Sequence, residues 1–196
     1  MTNDGQLFVV SAPSGTGKNT VLERVMARRP NIEHCVTVTT RAPRQGEADG
    51  TDYYFMSEDE FVTRRDRGEF AEWARVHSHY YGVLRAELRK HTANGGKCLL
   101  QVDIQGRRNL EEAGIRFVSV FLAPPSLTEL ERRLRQRASD SPEQVCMRLE
   151  TARTEIAASD EYDYVVVNDD IERAVQEFLA IVDGQAESAV HDEEEA

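Results

Sequence analysis

Residues 11–20 read SAPSGTGKNT and directly follow the apolar run LFVV at residues 7–10. The apolar run predicts a buried strand, and the residues from Gly17 to Ala27 predict a helix. Glycines at such a junction let successive backbone N–H groups turn inward, and the helix N-terminus adds partial positive charge. We therefore interpret the stretch as a phosphate-binding loop in which Lys18 supplies a mobile charge for the outer phosphates.

The loop departs from the strict pattern G-x-x-x-x-G-K-[ST] at two positions. Ala12 stands at the first glycine, where a small residue suffices. Asn19 replaces the hydroxyl residue after Lys18, and its amide oxygen can coordinate Mg²⁺ or hold one of its waters. The predicted phosphate site comprises Ala12, Pro13, Ser14, Gly15, Thr16, Gly17, Lys18, Asn19 and Thr20.

Along the rest of the chain, strand-like apolar runs alternate with helix-like segments, which predicts an α/β fold with a mainly parallel sheet. Further strands are expected at residues 35–40, 70–76, 97–102, 117–122 and 164–167. Ser57-Glu58-Asp59-Glu60 is a capping box that predicts a helix start, and Ser141-Pro142 predicts another. Without repeats or a linker, residues 1–184 are expected to form a single domain, followed by a disordered acidic tail at 185–196.

Composition excludes several classes of protein. The net charge of −11 argues against a general nucleic-acid binder. No apolar run approaches the roughly 18 residues of a membrane helix, and the N-terminus lacks the features of a signal peptide, so a cytoplasmic protein without membrane partners is expected. Cys35, Cys98 and Cys146 show no metal-ligand spacing and are expected to be reduced thiols.

A second motif, TTRAPRQGEADGTDY at residues 39–53, carries two arginines whose planar donor forks suit a phosphate dianion. It is similar to the GMP-binding signature of the guanylate kinase family, T-T-R-x-P-R-x-G-E-x-x-G-x-x-Y. FAEWA at residues 70–74 and YYG at 80–82 resemble a second family stretch. The resemblance runs from about Leu7 to Val182.

The resemblance implies a three-layer fold of the P-loop NTPase type with a GMP-binding insert at about 36–84 and a lid at about 126–150. It implies an enzyme that transfers the γ-phosphate of ATP to GMP, and with it dGMP, by direct in-line transfer. Guanine presents hydrogen-bond donors at N1 and N2, and a carboxylate can accept from both. By resemblance, Glu72 is the residue that recognises this edge of the base. The implied GMP site comprises Thr37, Arg41, Arg44, Glu47, Tyr53, Glu72, Tyr81, Gly82 and Asp103.

The cation-rich stretch at residues 132–137 resembles the kinase lid. With Lys18, the positions that match the family as catalytic cations are Arg133, Arg137 and Arg148, and Asn168 is implied near the adenine of ATP. Mg²⁺ is the implied cofactor, with Asn19 and, indirectly, Asp103 on the metal side. The sequence departs from its relatives at two further positions: Gln101 replaces an acidic residue, and Val83 replaces Ser or Thr.

Two alternatives stay open at the level of sequence. One is a non-catalytic guanylate-kinase-like module that binds a peptide, which Asn19 and Gln101 favour weakly. The other is a related kinase that acts on ribose bisphosphate. Such an enzyme would need no residue that recognises guanine.

Overall fold

A computed structural model describes residues 5–76, 78–136 and 141–186. The prediction of an α/β fold is confirmed, with strands and helices alternating along most of the chain. The strands are β1 Gln6–Ser11, β2 Ile32–His34, β3 Thr37–Thr39, β4 Tyr53–Phe55, β5 Phe70–Val76, β6 His79–Leu84, β7 Lys97–Gln101, β8 Val118–Ala123 and β9 Tyr164–Val167. The helices are α1 Lys18–Arg28, α2 Glu58–Asp66, α3 Arg85–Thr92, α4 Ile104–Glu112, α5 Leu127–Gln136, α6 Pro142–Ala157 and α7 Ile171–Val182.

The strands form two sheets. The larger has the order β2-β7-β1-β8-β9, and both β2 with β7 and β8 with β9 pair in parallel. The smaller has the order β4-β3-β6-β5, in which β3 and β4 are parallel and β6 is antiparallel to both β3 and β5. In the larger sheet, helices lie between sequential strands that pair in parallel, as is usual for such crossovers, which explains much of the alternation in the sequence; β3 and β4 of the smaller sheet are parallel without a helix between them.

The strand expected at residues 35–40 is present as the shorter β3, but the separate strand β2 before it was not expected, and the chain changes sheets between the two. Ile32–His34 pairs with β7 of the larger sheet, and Thr37–Thr39 pairs with β4 and β6 of the smaller one. Cys35 and Val36 between them are buried, and the N–H of Cys35 donates to Leu99 at 2.8 Å. Alternation breaks at Cys35 and Val36, two adjacent buried residues, but such a pair is also typical of a strand buried on both faces, so the break does not identify the change of pairing partner.

Helix starts follow the predicted capping chemistry. The Ser57 hydroxyl accepts a hydrogen bond from the N–H of Glu60 at the start of α2. The α6 helix begins with a full capping box between Ser141 and Gln144, with a proline in its first turn. Asp170 caps α7 by accepting from the N–H groups of the second and third residues after it. Each cap satisfies amide donors that the helix itself cannot bond.

The chain divides into two compact units. The first joins the segment ending at Val9 with Asn31–Val118, and the second joins Val10–Pro30 with the segment beginning at Ser119. In the first unit, Cys35 and Cys98 belong to a buried apolar cluster. The cysteines at 35, 98 and 146 are all free thiols, as expected. In the second unit, an apolar cluster between α5 and α6 contains Leu130, Leu134, Val145 and Ala152.

Within the described residues, no helix is long and apolar enough to cross a membrane. The acidic tail was expected to be disordered. From residue 187 onward, it lies outside the described part of the chain. The assignment of a GMP-binding insert and a lid stays a prediction.

Candidate functional site

The glycine-rich loop between β1 and α1 adopts the backbone conformation expected of a phosphate cradle. Gly15 and Gly17 both have a φ of 95°, in the left-handed region that favours glycine. Thr16 between them is buried, and its N–H donates to the carbonyl of Pro13 at 3.1 Å. Gly17 is also the residue that precedes α1, so the loop leads directly into a helix N-terminus.

The carbonyl oxygen of Thr16 is held by two side chains from distant parts of the sequence. Asn168, which follows β9, donates from Nδ2 at 2.7 Å, and Arg133 of α5 donates from Nη1 at 3.2 Å. Arg133 also donates from Nη2 to the carbonyl of Asn168 at 3.0 Å and from Nε to Glu129 at 2.8 Å. In this structure both side chains fix the loop, while the adenine contact of Asn168 and the catalytic role of Arg133 stay predictions.

The loop also lies directly against α5. A Cβ atom added to Gly15 would come within 2.8 Å of Leu134 Cδ2, and one added to Gly17 would meet Asn168 Nδ2 at 2.7 Å. Both positions therefore exclude a side chain for reasons of space as well as of backbone angle.

Besides Arg133, two more of the four predicted catalytic cations belong to the loop or contact it. Lys18 is the first residue of α1. Arg148 of α6 donates from Nη1 to the hydroxyl of Ser14 at 2.7 Å. The fourth, Arg137, lies outside the described residues. The described loop thus combines turned glycines, a helix start and two arginines that contact it from other helices.

In the first unit, the predicted phosphate-binding segment between β3 and β4 is organised by Glu47. Its carboxylate accepts two hydrogen bonds from the Arg41 guanidinium, at 2.8 and 2.9 Å, and a third from the N–H of Arg44 at 2.7 Å. These bonds, the Arg41 pair foremost, lower the pKa of Glu47. In this structure Glu47 therefore orients the Arg41 side chain and the backbone of Arg44, while its place in a GMP site stays a prediction. The Arg44 guanidinium is exposed and makes no ion pair with any described residue.

Two tyrosines complete this segment. The ring of Tyr53 meets that of Tyr81 edge-on, with centroids 6.2 Å apart, and the Arg41 guanidinium lies 5.4 Å from the Tyr53 centroid. Strand register explains the grouping, because Thr37 pairs with Tyr53 and Thr39 pairs with Tyr81. Burial raises the pKa of Tyr53, so it stays a neutral donor near neutral pH.

Glu72 on β5 is a buried carboxylate with an unsatisfied oxygen. Its residue is 7% exposed, and Oε2 has no hydrogen-bond partner among the described residues. Desolvation, with a smaller contribution from the Asp103 charge, raises the pKa of Glu72 to about 7, against a lowering hydrogen bond from Asn109. A buried acceptor without a partner is costly, and such groups are concentrated at binding sites.

Gly82 and Asp103 relate to Glu72 in different ways, the first through its backbone and the second through the charge of its carboxylate. A Cβ atom on Gly82 would approach the carbonyl of Glu72 to 2.9 Å, so glycine permits the close pairing of β6 with β5. Asp103 caps α4, with Oδ1 accepting from the N–H of Gly106 at 2.8 Å, and its charge acts on Glu72. The cap and a role in binding are compatible, because Asp103 is itself exposed.

The residues that were predicted on the metal side offer single oxygen donors. No group of three His, Cys, Asp or Glu side chains in the described part of the chain could hold a metal ion. Asn19, in the first turn of α1, is exposed and offers one neutral amide oxygen. Gln101 is directed to His34, with a separation of 3.4 Å between Nε2 atoms. Mg²⁺ normally keeps several waters and takes one or two protein oxygens together with substrate phosphates, so these donors fit it.

Sequence reasoning missed several supporting contacts. Asn109 at Glu72, Glu129 at Arg133, and the bonds to the Thr16 carbonyl all join residues that no short motif contains. The only local signal was the spacing of Glu129 and Arg133, four residues apart on a helix, which favours an ion pair.

Fold and loop together define an α/β protein of the P-loop type with a second cluster of arginine, tyrosine and carboxylate side chains. The family model for guanylate kinase matches residues 4–185. The chain is 45% identical to a guanylate kinase of Geobacter metallireducens over 93% of this chain and 90% of that protein. It is 42% identical to one of Thermotoga maritima, over 91% and 86%. The crystal structure of guanylate kinase from Anaplasma phagocytophilum matches with a TM-score of 0.72 at 36% identity, covering 94% of this chain and 88% of that one. The chain belongs to the guanylate kinase family.

Proposed function

We propose that this protein transfers the γ-phosphate of ATP to GMP, giving ADP and GDP. The observation that carries the proposal is the buried, unpartnered Oε2 of Glu72. Guanine offers adjacent N–H donors at N1 and N2, and a carboxylate can accept from both. A base without these donors leaves the buried carboxylate unsatisfied, which is the kind of mismatch that gives strong discrimination.

The phosphate of GMP would bind to the segment organised by Glu47. The bidentate pair fixes the Arg41 guanidinium and the Arg44 backbone, while the Arg44 guanidinium is left for the ligand. Tyr53 and Tyr81 would add hydroxyl donors to the same dianion. Thr37, paired in register with Tyr53, would contribute a smaller polar contact.

ATP would bind the loop at residues 12–20, where the backbone N–H groups and Lys18 receive its β- and γ-phosphates. The acceptor phosphate oxygen attacks the γ-phosphorus in line, the bond to the ADP oxygen breaks, and no covalent enzyme intermediate forms. Lys18, Arg148, Arg133 and Arg137 are proposed to neutralise the charge that develops. Closure over the substrates would exclude water, because an open site would hydrolyse ATP.

Mg²⁺ is the proposed cofactor, with Asn19 as a direct or water-mediated ligand and Asp103 acting indirectly. A bound ion would supply positive charge that offsets the charge of the outer phosphates. Asn19 contributes a neutral oxygen in place of a hydroxyl, so the metal is expected to be held chiefly by the nucleotide.

The test is an acceptor panel of GMP, dGMP, AMP, UMP and CMP with ATP and Mg²⁺, measured as ADP formation. GMP should be preferred by a factor of at least about 10³, and Glu72→Gln should raise the KM for GMP about a hundredfold while leaving that for ATP unchanged. Glu87→Gln is a matched control, because Glu87 is equally buried but both its oxygens are bonded, to His91 and Tyr54. Absence of GMP-dependent turnover in folded protein would favour the non-catalytic module, and activity on ribose bisphosphate the other kinase.

A further inference from the structure

The first unit contains a pocket of about 230 Å³ that none of the predicted nucleotide-binding residues lines. Its apolar lining includes Leu7, Leu88 and Ile115, of which the first two are buried in the core. Its lining also includes three arginines, Arg85 and Arg89 from α3 and Arg116 from the connection between α4 and β8. A lining that combines apolar side chains with several cations suits a ligand with an apolar body and an anionic group.

These three arginines differ in their ion pairing from several others of the same unit. Five others, Arg41, Arg64, Arg65, Arg67 and Arg107, each lie within 4.0 Å of a carboxylate. Within the described residues, the side chains of Arg85, Arg89 and Arg116 make no ion pair or hydrogen bond. No Asp or Glu lines the pocket, although the protein carries a net charge of −11.

Three like charges around one cavity repel one another. Arg85 and Arg89 are four residues apart on α3, a spacing that places them on the same helix face, where like charges are destabilising. A phosphate dianion would relieve this repulsion, and guanidinium groups bind it with directed pairs of donors. Thr92, one turn further along α3, also lines the pocket, and its hydroxyl donates to the backbone carbonyl of Leu88 at 2.9 Å.

We propose that this pocket, lined by Arg85, Arg89 and Arg116, is a second ligand site that binds a small phosphomonoester whose organic part is apolar or aromatic. Ligand carbon atoms contact Leu7, Leu88 and Ile115, and the phosphate lies among the three arginines. The site is independent of the proposed GMP and ATP sites, so it adds a binding function to the kinase.

Two probes test the site. The aromatic sulfonate 8-anilinonaphthalene-1-sulfonate reports binding by its fluorescence, and phenyl phosphate should displace it. Inorganic phosphate lacks the apolar part and phenol lacks the anion, so each should displace it at least about tenfold less effectively. Salt should weaken binding of phenyl phosphate, because exposed charge pairs are screened. Equal displacement by phenol or by inorganic phosphate would overturn the proposed chemistry.

Variants locate the site. Each single substitution, Arg85→Ala, Arg89→Ala or Arg116→Ala, should weaken phenyl phosphate binding about threefold, and the triple variant more than tenfold, as expected for partly exposed charge pairs. Ile115→Trp should block the pocket while leaving the arginines in place. Arg44→Ala is the control, since it removes an exposed cation from the proposed GMP site.

The triple variant should keep its GMP kinase activity, and Arg44→Ala should lose affinity for GMP but keep phenyl phosphate binding. If Arg44→Ala abolishes probe binding and the triple variant does not, the probe occupies the nucleotide site and the proposal fails. Unchanged binding in both the triple variant and Ile115→Trp would also overturn it, whatever the outcome for kinase activity.

Discussion

The side-chain amide of Asn168 donates a hydrogen bond of 2.7 Å to the backbone carbonyl of Thr16. This contact joins the end of the last strand to the middle of the phosphate loop, and Asn168 is only 5% exposed. Arg133 bonds both partners, so the three residues form one closed set of hydrogen bonds.

The first prediction concerns this contact. Asn168→Ala should raise the KM for ATP about tenfold, because the Thr16 carbonyl loses a donor and the loop loses its fixed conformation. Steady-state kinetics with varied ATP measure the effect. Asp170→Ala serves as the control: it removes the cap of α7 and costs about 1 kcal/mol of stability without touching the loop. A similar change in KM for both variants would mean that general destabilisation is responsible.

The second prediction concerns the pH dependence of stability. The pKa of Glu72 is about 7 in the folded protein against an ordinary value of 4.5. The folded state therefore binds more protons between these values, so this residue destabilises the fold increasingly as pH rises through the window. The Glu72→Gln variant should have the same free energy of unfolding as the native chain near pH 4.5. Above pH 7 it should be more stable by up to about 3 kcal/mol, measured by urea unfolding.

Glu87→Gln should behave in the opposite sense. Desolvation acts to raise the pKa of Glu87, but its bonds to His91 and Tyr54 outweigh this and the pKa is lowered. Its stabilising contribution is therefore present above its ordinary pKa and lost as pH falls. If both variants shift the unfolding curve in the same direction at pH 8, the interpretation of Glu72 is wrong.

A third prediction separates backbone strain from crowding in the phosphate loop. Gly15→Ala should abolish most activity and destabilise the fold by about 2–4 kcal/mol, since the new methyl group would lie 2.8 Å from Leu134 Cδ2 at a φ of 95°. Gly46 has a φ of 92° and nothing within 4 Å of an added Cβ. Gly46→Ala should therefore destabilise the fold only through backbone strain, by about 1–2 kcal/mol. Thermal unfolding and ADP formation give both readouts, and equal losses of stability would contradict the role of Leu134.

The fourth prediction assigns Glu47 to positioning. Glu47→Gln weakens the bidentate contact with Arg41 and the bond to the Arg44 backbone, so the KM for GMP should rise about tenfold while the KM for ATP is unchanged. Glu60→Gln, which removes an exposed ion pair with Arg64, should change neither value. A fall in kcat for the Glu47 variant with an unaltered KM would rule out a role in ground-state GMP binding.

Local features of the fold could be predicted because each depends on a few neighbouring residues. Ser57 and Ser141 mark helix starts through their own side chains, and the glycines at 15 and 17 mark a turn that other residues adopt poorly. The junction at Cys35 and Val36 could not be predicted, since both sheets bury apolar residues and the pattern is the same in each. The short strand Tyr53–Phe55 was missed because turn-forming residues precede it and it is only three residues long.

By itself the sequence determined the alternation of strands and helices along most of the chain, from its apolar patterning, and the phosphate loop and the residues expected to bind GMP, because the last two are carried by short motifs with fixed spacing. Tertiary structure alone decided the environment of those residues. It buried Glu72 with one unsatisfied oxygen, turned Arg133 and Asn168 toward the Thr16 carbonyl, and left three arginines around an apolar pocket. Desolvation and hydrogen bonding between distant segments depend on how the chain packs, and no local pattern records them.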